Sequence, residues 1–177
     1  ALERDHLALL LHHPDQFDKD MTLNSPAPGT QNPLAVSHEE MGRRVDEDPE
    51  RYYWYTDWKI ILREERTVVG ELCFLGAPDA EGCVEVIYSI AEPYQHQGIM
   101  TECLRVMITW AFRQPEVRAL VAEVPRDNFA AARVMEKAGA VRDGGSFTER
   151  MGKVACWNSV MDEDRYMVKR WNEFIAA

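Results

Sequence analysis

The sequence predicts an α/β protein built on a mixed sheet, and three observations carry that prediction. The apolar run Cys83-Val84-Glu85-Val86-Ile87-Tyr88-Ser89-Ile90 ends at Glu92-Pro93. It is followed by apolar residues at Met100, Cys103, Leu104, Met107, Ile108 and Ala111, the spacing of one buried helical face. Ahead of it lie two further β-rich runs, residues 58–63 and 67–75, each bounded by turn residues. After the helix, a short apolar run at 118–124 and a second helical pattern at 128–138 give a strand-helix-strand order. That order requires a right-handed crossover and a parallel strand pair. With 177 residues and 46% apolar content, the chain suits a single domain over 1–177.

The elements follow in order. Residues 2–12 have helical spacing through Leu2, Leu7, Leu10 and Leu11, ended by Pro14, and residues 22–36 hold a Pro/Asn/Ser/Gly cluster that reads as loop. Ser37-His38-Glu39-Glu40 has the capping-box arrangement and starts a helix to about Glu47, ahead of Pro49. The runs 58–63, 67–75 and 83–90 are joined by turns at Glu64-Glu65-Arg66 and Gly76 to Gly82, forming an antiparallel meander. In the second helical pattern Ala130, Ala131, Val134, Met135 and Ala138 share the apolar face, and Gly139 supplies the cap. Strands near 140–147 and 163–170 complete the sheet.

Composition excludes some partners. Thirty acidic residues against 20 basic ones give a formal charge of -10, which disfavours nucleic acid and anionic membranes and leans toward a cationic substrate. No apolar run reaches the ~20 residues of a membrane span, and the short run Leu7 to Leu11 does not resemble a signal peptide. The four cysteines form no CxxC and no zinc-spaced cluster, so they read as reduced thiols of a cytoplasmic protein, and no metal is expected. Cys73 and Cys83 flank a loop and leave a strand-to-strand bridge open.

The chemistry-bearing motif is Gln95-His96-Gln97-Gly98-Ile99-Met100-Thr101, at the junction of strand and helix. A glycine in a turn at a helix N-terminus lets backbone N–H groups approach a phosphate. The junction therefore reads as an anion site, with a plain tight turn as the alternative. Glu85 interrupts an apolar strand and shares a face with Ile87 and Ser89. It reads either as a general base or as an exposed or paired strand glutamate. His96 is a weaker base candidate. Tyr52-Tyr53-Trp54-Tyr55 precedes the first strand and reads as core or as the wall of a pocket holding a cationic amine.

Three stretches resemble the GNAT N-acetyltransferase superfamily and, within it, the RimJ/RimL-like branch. They are Val84 to Ile90 followed by Pro93; Gln95 to Glu102, similar to the Q/R-x-x-G-x-G/A signature; and Asn128 to Ala140, similar to N-x-x-S-x-x-v-l-e-K-x-G-F. The resemblance covers residues 58–147. It implies a central twisted mixed sheet of six to seven strands, splayed between the fourth and fifth and flanked by about four helices. It also implies an acetyl-CoA site and direct transfer of the acetyl group to a primary amine in a ternary complex. Backbone groups of Ile90 and Ala91 would meet the pantetheine arm, in a gap between strands 83–91 and 118–124. Gln95 and the N–H groups of Gln97, Gly98, Ile99, Met100 and Thr101 would hold the pyrophosphate. Asn128 would touch the arm, and Arg133 or Lys137 the nucleotide end. Glu85 would take the amine proton; the thiolate would be protonated by water, by the departing amine proton, or by Ser89 or Tyr94. Tyr53, Trp54 and Tyr55 would line the acceptor pocket. The partner expected is a small-molecule or peptide amine, with a homodimer left open.

The departures from the pattern are specific. Ala131 replaces the motif serine, Met135 stands where many members have a tyrosine that reprotonates the leaving thiolate, and Ala140 replaces the phenylalanine. These keep a second reading open, a non-catalytic acyl-CoA-binding module. The chain also begins almost inside the family's first helix, so either a first strand lies upstream or the sheet lacks it.

Overall fold

A computed structural model describes Lys19, Leu23–Asn24, residues 37–142 and residues 163–169, with Tyr166 alone among the side chains of the last segment. The expected helix at 2–12 and most of the loop at 22–36 lie outside these residues. Among the described residues there are three α-helices, α1 (His38–Glu47), α2 (Ile99–Ala111) and α3 (Phe129–Lys137). The strands are β1 (Asp57–Leu62), β2 (Thr67–Phe74), β3 (Cys83–Ile90), β4 (Ala119–Pro125), β5 (Val141–Arg142) and β6 (Glu163–Lys169). The fold is mixed α/β, as expected. It forms two compact units: Ala1–Ala77 with Glu85–Met100, and Pro78–Val84 with Thr101–Ala177.

In the first unit, β1-β2-β3 is the expected antiparallel meander. Asp57 pairs with Cys73, Lys59 with Glu71, Glu71 with Ser89 and Cys73 with Ile87. The register of β1 on β2 shifts between Ile60 and Ile61. All eight residues of β2 are buried, so both faces of this central strand are covered. At Gly70 a side chain is excluded, because a Cβ there would stand 2.5 Å from the Ser89 carbonyl oxygen. Helix α1 packs Met41 and Val45 on Cys73, with Tyr52, Tyr55 and Ile87 around them. Its capping box is half formed. Ser37 Oγ accepts the Glu40 N–H at 3.2 Å, but the Glu40 carboxylate turns to Arg43 and Arg44 instead of returning to the cap. Those guanidiniums hold the Glu40 carboxyl down at about 2.

In the second unit, β4-β6-β5 pair antiparallel, with Ala122 opposite Tyr166 and Val141 opposite Met167. Of the expected strand near 140–147, Val141–Arg142 form β5 and residues 143–147 lie outside the described residues; the expected strand near 163–170 is β6, with residue 170 outside them. The β3 entrance is fixed here. The Gly82 carbonyl accepts the N–H groups of Arg118 and Ala119 at 2.8 and 3.2 Å. Leu104, Leu120, Val121 and Met135 are fully buried. Cys73, Cys83 and Cys103 are free thiols, so no bridge joins Cys73 to Cys83. Among the described residues no helix is long and apolar enough to cross a membrane.

Candidate functional site

The strand-to-helix junction is built by the backbone. Ala91 N–H donates to the Val69 carbonyl at 2.9 Å, closing the meander, and Pro93 helps to set a one-turn 3-10 segment over Glu92–Tyr94. The chain then reverses through two left-handed residues, His96 at φ 61° and Gly98 at φ 84°. Helix α2 starts at once. A Cβ placed on Gly98 would meet nothing within 4 Å, so the backbone angle, not crowding, requires glycine there. The space beside the turn is open. Gln95 Nε2 donates to the Ile90 carbonyl at 3.2 Å and Gln97 Nε2 to the Pro93 carbonyl at 2.9 Å, so both glutamine side chains brace the turn. Met100 and Thr101 are buried and anchor the helix end. The first-turn N–H groups of an α-helix have no intrahelical partner, and the dipole adds positive potential there. A pyrophosphate fits this geometry: backbone donors, a positive helix end and an open approach.

Tyr94 lies on the outside of this junction. Its hydroxyl donates to Glu65 Oε2 at 2.6 Å, across to the β1–β2 turn, and that bond raises the phenol above its usual range. Ala91 has its N–H engaged by Val69 and its carbonyl by Tyr94 N–H, while the Ile90 carbonyl takes Gln95.

Glu85, Ile87 and Ser89 alternate onto the face of the meander that α1 covers. Two rows of side chains cross this face. One is Asp57–Cys73–Ile87, the other Lys59–Glu71–Ser89. Lys59 Nζ donates to Asp57 Oδ2 at 2.9 Å and to Glu71 Oε2 at 2.6 Å, and His38 Nε2 lies 3.1 Å from Asp57 Oδ2. The side chains of Asp57, Glu71 and Lys59 are 2%, 6% and 12% exposed, so this is a buried charge cluster. Asp57 Oδ1 is buried with no hydrogen-bond partner. Burial alone would push the Asp57 carboxyl up, but the bond to His38 and the charge of Lys59 outweigh it, and the group sits below its usual range. Burial pulls Lys59 down, and the two carboxylates more than reverse that. The Cys73 thiol is driven well up by burial and by both carboxylates, so it stays protonated.

None of these four residues, His38, Asp57, Lys59 and Glu71, stands out as a site in the sequence. Glu71 carried the one available signal, a carboxylate in the middle of the otherwise near-apolar Thr67-Val68-Val69-Gly70-Glu71-Leu72-Cys73-Phe74.

The aromatic segment divides by depth. Trp54 is fully buried and packs edge-on against Phe74, centroids 4.8 Å apart. Tyr53 leans on Trp54 at 5.4 Å and its carbonyl takes the Trp58 indole N–H, while Tyr55 Oη donates to Asp48 at 3.4 Å. Tyr53 and Tyr55 are only partly buried.

In the second unit, Asn128 is an N-cap: its Oδ1 accepts the Ala131 N–H at 3.1 Å. Arg133 is exposed and lines a shallow concavity of about 450 Å³ with Arg126, Phe129 and Arg142. Lys137 is exposed, and its carbonyl accepts two bonds from the Arg105 guanidinium, at 2.6 and 3.2 Å. Met135 is fully buried, so no proton donor stands at that position. Among the described residues no three His, Cys, Asp or Glu side chains are grouped as metal ligands.

Residues 2–141 match the acetyltransferase (GNAT) domain family. The chain is 26% identical over 87 residues to YjdG of Bacillus subtilis (strain 168), described as an uncharacterized N-acetyltransferase, covering 49% of this chain and 52% of that protein. A second protein of that organism and description, YnaD, is 26% identical over 85 residues. The chain thus spans about half the length of the curated relatives it matches. Among solved structures, a chimera of the Vibrio cholerae spermidine N-acetyltransferase SpeG and hSSAT superposes with TM-score 0.62 at 15% identity, covering 100% of this chain and 96% of that one. The ribosomal-protein-S5-alanine acetyltransferase of Vibrio fischeri superposes with TM-score 0.61 at 16% identity, covering 95% and 90%. At those identities the structures speak for the fold, while the family match spans most of the sequence. The chain belongs to the GNAT acetyltransferase family.

Proposed function

We propose that this protein moves an acetyl group from acetyl-CoA to a primary amine by direct attack within a ternary complex. The observation that carries the reading is the open, left-handed turn at Gly98 leading into helix α2. The N–H groups of Gln97, Gly98, Ile99, Met100 and Thr101 hold the pyrophosphate, with Gln95 bracing the turn. The backbone at Ile90 and Ala91 meets the pantetheine arm. On the second unit Asn128, Arg133 and Lys137 keep the cofactor roles that the family pattern implies. Bound acetyl-CoA supplies an activated thioester. The protein's own part is to orient, to polarise and to move protons. N–H groups of β3 would polarise the thioester carbonyl. Glu85 takes the amine proton, directly or through a water, because a protonated amine is no nucleophile. Ser89 and Tyr94 are the hydroxyls proposed to return a proton to the thiolate. Tyr53 and Tyr55 offer aromatic faces to a cationic acceptor, small molecule or peptide, with Trp54 as the core residue behind them.

The test is acetyl-CoA turnover over a panel of amines, with Glu85→Gln beside the wild type and acetyl-CoA binding measured by calorimetry. Binding with amine-dependent thiol release, reduced in Glu85→Gln, supports the reading. A second reading, a non-catalytic acyl-CoA-binding module, is favoured by the buried Met135 and by Ala131, which leave α3 without a proton donor at those positions. Tight binding with no turnover on any amine would select it, and absence of binding would sink both.

A further inference from the structure

We propose that Glu65 and Tyr94 are positioning residues of the donor site: the hydrogen bond between them sets the angle at which the Gly98 turn presents its N–H groups. This deepens the acetyl-CoA reading of the turn and rests on it. Between β3 and α2 the chain runs through residues 91–98, which belong to no strand or α-helix. Ala91 fixes the start through its bond to the Val69 carbonyl. Beyond it the bonds are local. Tyr94 N–H turns back to the Ala91 carbonyl and Gln95 N–H to that of Glu92, while the Gln95 and Gln97 side chains reach Ile90 and Pro93. Such bonds shape the loop without orienting it against the sheet. Among the described residues, the Tyr94 hydroxyl on Glu65 Oε2 is the one hydrogen bond that joins residues 92–98 to a segment outside the junction and its helix. At 2.6 Å it has the short length of a hydroxyl donating to a charged carboxylate. Two left-handed residues, His96 and Gly98, are all that bend the chain between Tyr94 and α2. A rotation of the one-turn segment at Tyr94 therefore passes directly into the N–H groups of the turn.

The far end of the tie is itself held. Glu65 sits in the β1–β2 turn, where Arg66 is left-handed at φ 49°. The Glu65 carbonyl accepts Asn24 Nδ2 at 2.6 Å and the Thr67 hydroxyl at 3.0 Å. The Arg66 carbonyl accepts the Asn24 N–H at 2.7 Å. A turn bound on both sides is an anchor, and Tyr94 is fastened to it. The same bond raises the Tyr94 phenol above its usual range, so the hydroxyl keeps its proton at neutral pH and remains a donor.

Charge and position predict opposite signs here. A carboxylate beside an anion site repels the anion, so by charge alone its removal tightens binding. A carboxylate that holds the turn in place weakens binding when it is removed.

The experiment is acetyl-CoA binding by calorimetry, with KM and kcat on whichever amine of the panel turns over fastest. Glu65 is exposed, so its substitution leaves the core untouched. Glu65→Ala weakens acetyl-CoA binding about fivefold, the scale of one hydrogen bond. The acetyl-CoA KM rises to match, while kcat and the amine KM keep their wild-type values. Glu65→Gln retains an oxygen for the Tyr94 hydroxyl and regains most of the affinity. Glu64→Ala removes an equal charge from the same turn and binds as tightly as wild type or tighter. Adding Tyr94→Phe to Glu65→Ala costs nothing more, because the two groups act through one bond. Affinity unchanged or increased in Glu65→Ala overturns the inference alone. So does an additive loss in the double variant, or a Tyr94→Phe loss carried by kcat at unchanged KM. A wild-type chain that binds no acetyl-CoA overturns this inference and the donor reading of the turn together.

Discussion

The turn at Gln95–Thr101 and the charged face at Asp57, Lys59 and Glu71 are built from opposite materials. The turn is almost all backbone. Two left-handed residues and a helix end aim its N–H groups, and its side chains only brace it. The face is almost all side chain, assembled from one helix and two strands spread over residues 38–71. A backbone site must be written contiguously, so it leaves a motif. A side-chain site leaves only isolated polar letters in apolar strands.

That contrast can be broken experimentally. The largest effect is expected on the face. Asp57→Ala removes the shared partner of Lys59 and His38, and breaking a buried ion pair costs about 3–5 kcal/mol. Urea unfolding reads this directly, and a change below about 1 kcal/mol would mean the cluster is not held by charge. The same cluster sets a pH window. Asp57 is depressed in the folded chain, so its contribution is complete above the ordinary carboxylate value of 3.8 and fades as pH falls through the folded value. Lys59 is raised, so its contribution is complete below 10.5 and fades as pH climbs through the folded value. Melting temperature should be flat between those limits, and Asp57→Asn should flatten the acid limb.

At the turn, Gly98→Val forces a β-branched residue to φ 84° and costs about 1–2 kcal/mol of backbone strain. We expect acetyl-CoA to bind about tenfold more weakly, by calorimetry, with the circular dichroism spectrum of the folded chain retained. Unchanged affinity would argue that the turn does not hold the donor. The smallest effect sharpens a residue that has both kinds of role. Asn128→Ala removes the α3 cap, at about 1 kcal/mol. Asn128→Ser keeps a capping oxygen, so any acetyl-CoA affinity lost in both variants belongs to ligand contact and not to the cap.

The sequence reading reached as far as local rules reach. Apolar periodicity placed β3, α2 and α3 within a residue or so, because each buries a regular stripe or face. Ser37 was legible as a cap, yet Glu40 was not legible as the partner of Arg43 and Arg44, since ion pairing on one helix face competes with the return bond of the box. Trp54 could not be told from its tyrosine neighbours, because depth depends on where Phe74 lies. Lys59 and Glu71 were hidden for the same reason: their meaning comes from β1–β2 register, which shifts between Ile60 and Ile61.

The bond from Arg105 to the Lys137 carbonyl carries a consequence for dynamics. An α-helix ordinarily frays from its C-terminus, since its last carbonyls lack partners. Here the carbonyl at the end of α3 is gripped by a side chain of α2. The amides of Glu136 to Ala138 should therefore exchange with deuterated solvent on the schedule of α2 opening, not on their own. Arg105→Ala should release them to fast exchange while α2 itself stays protected.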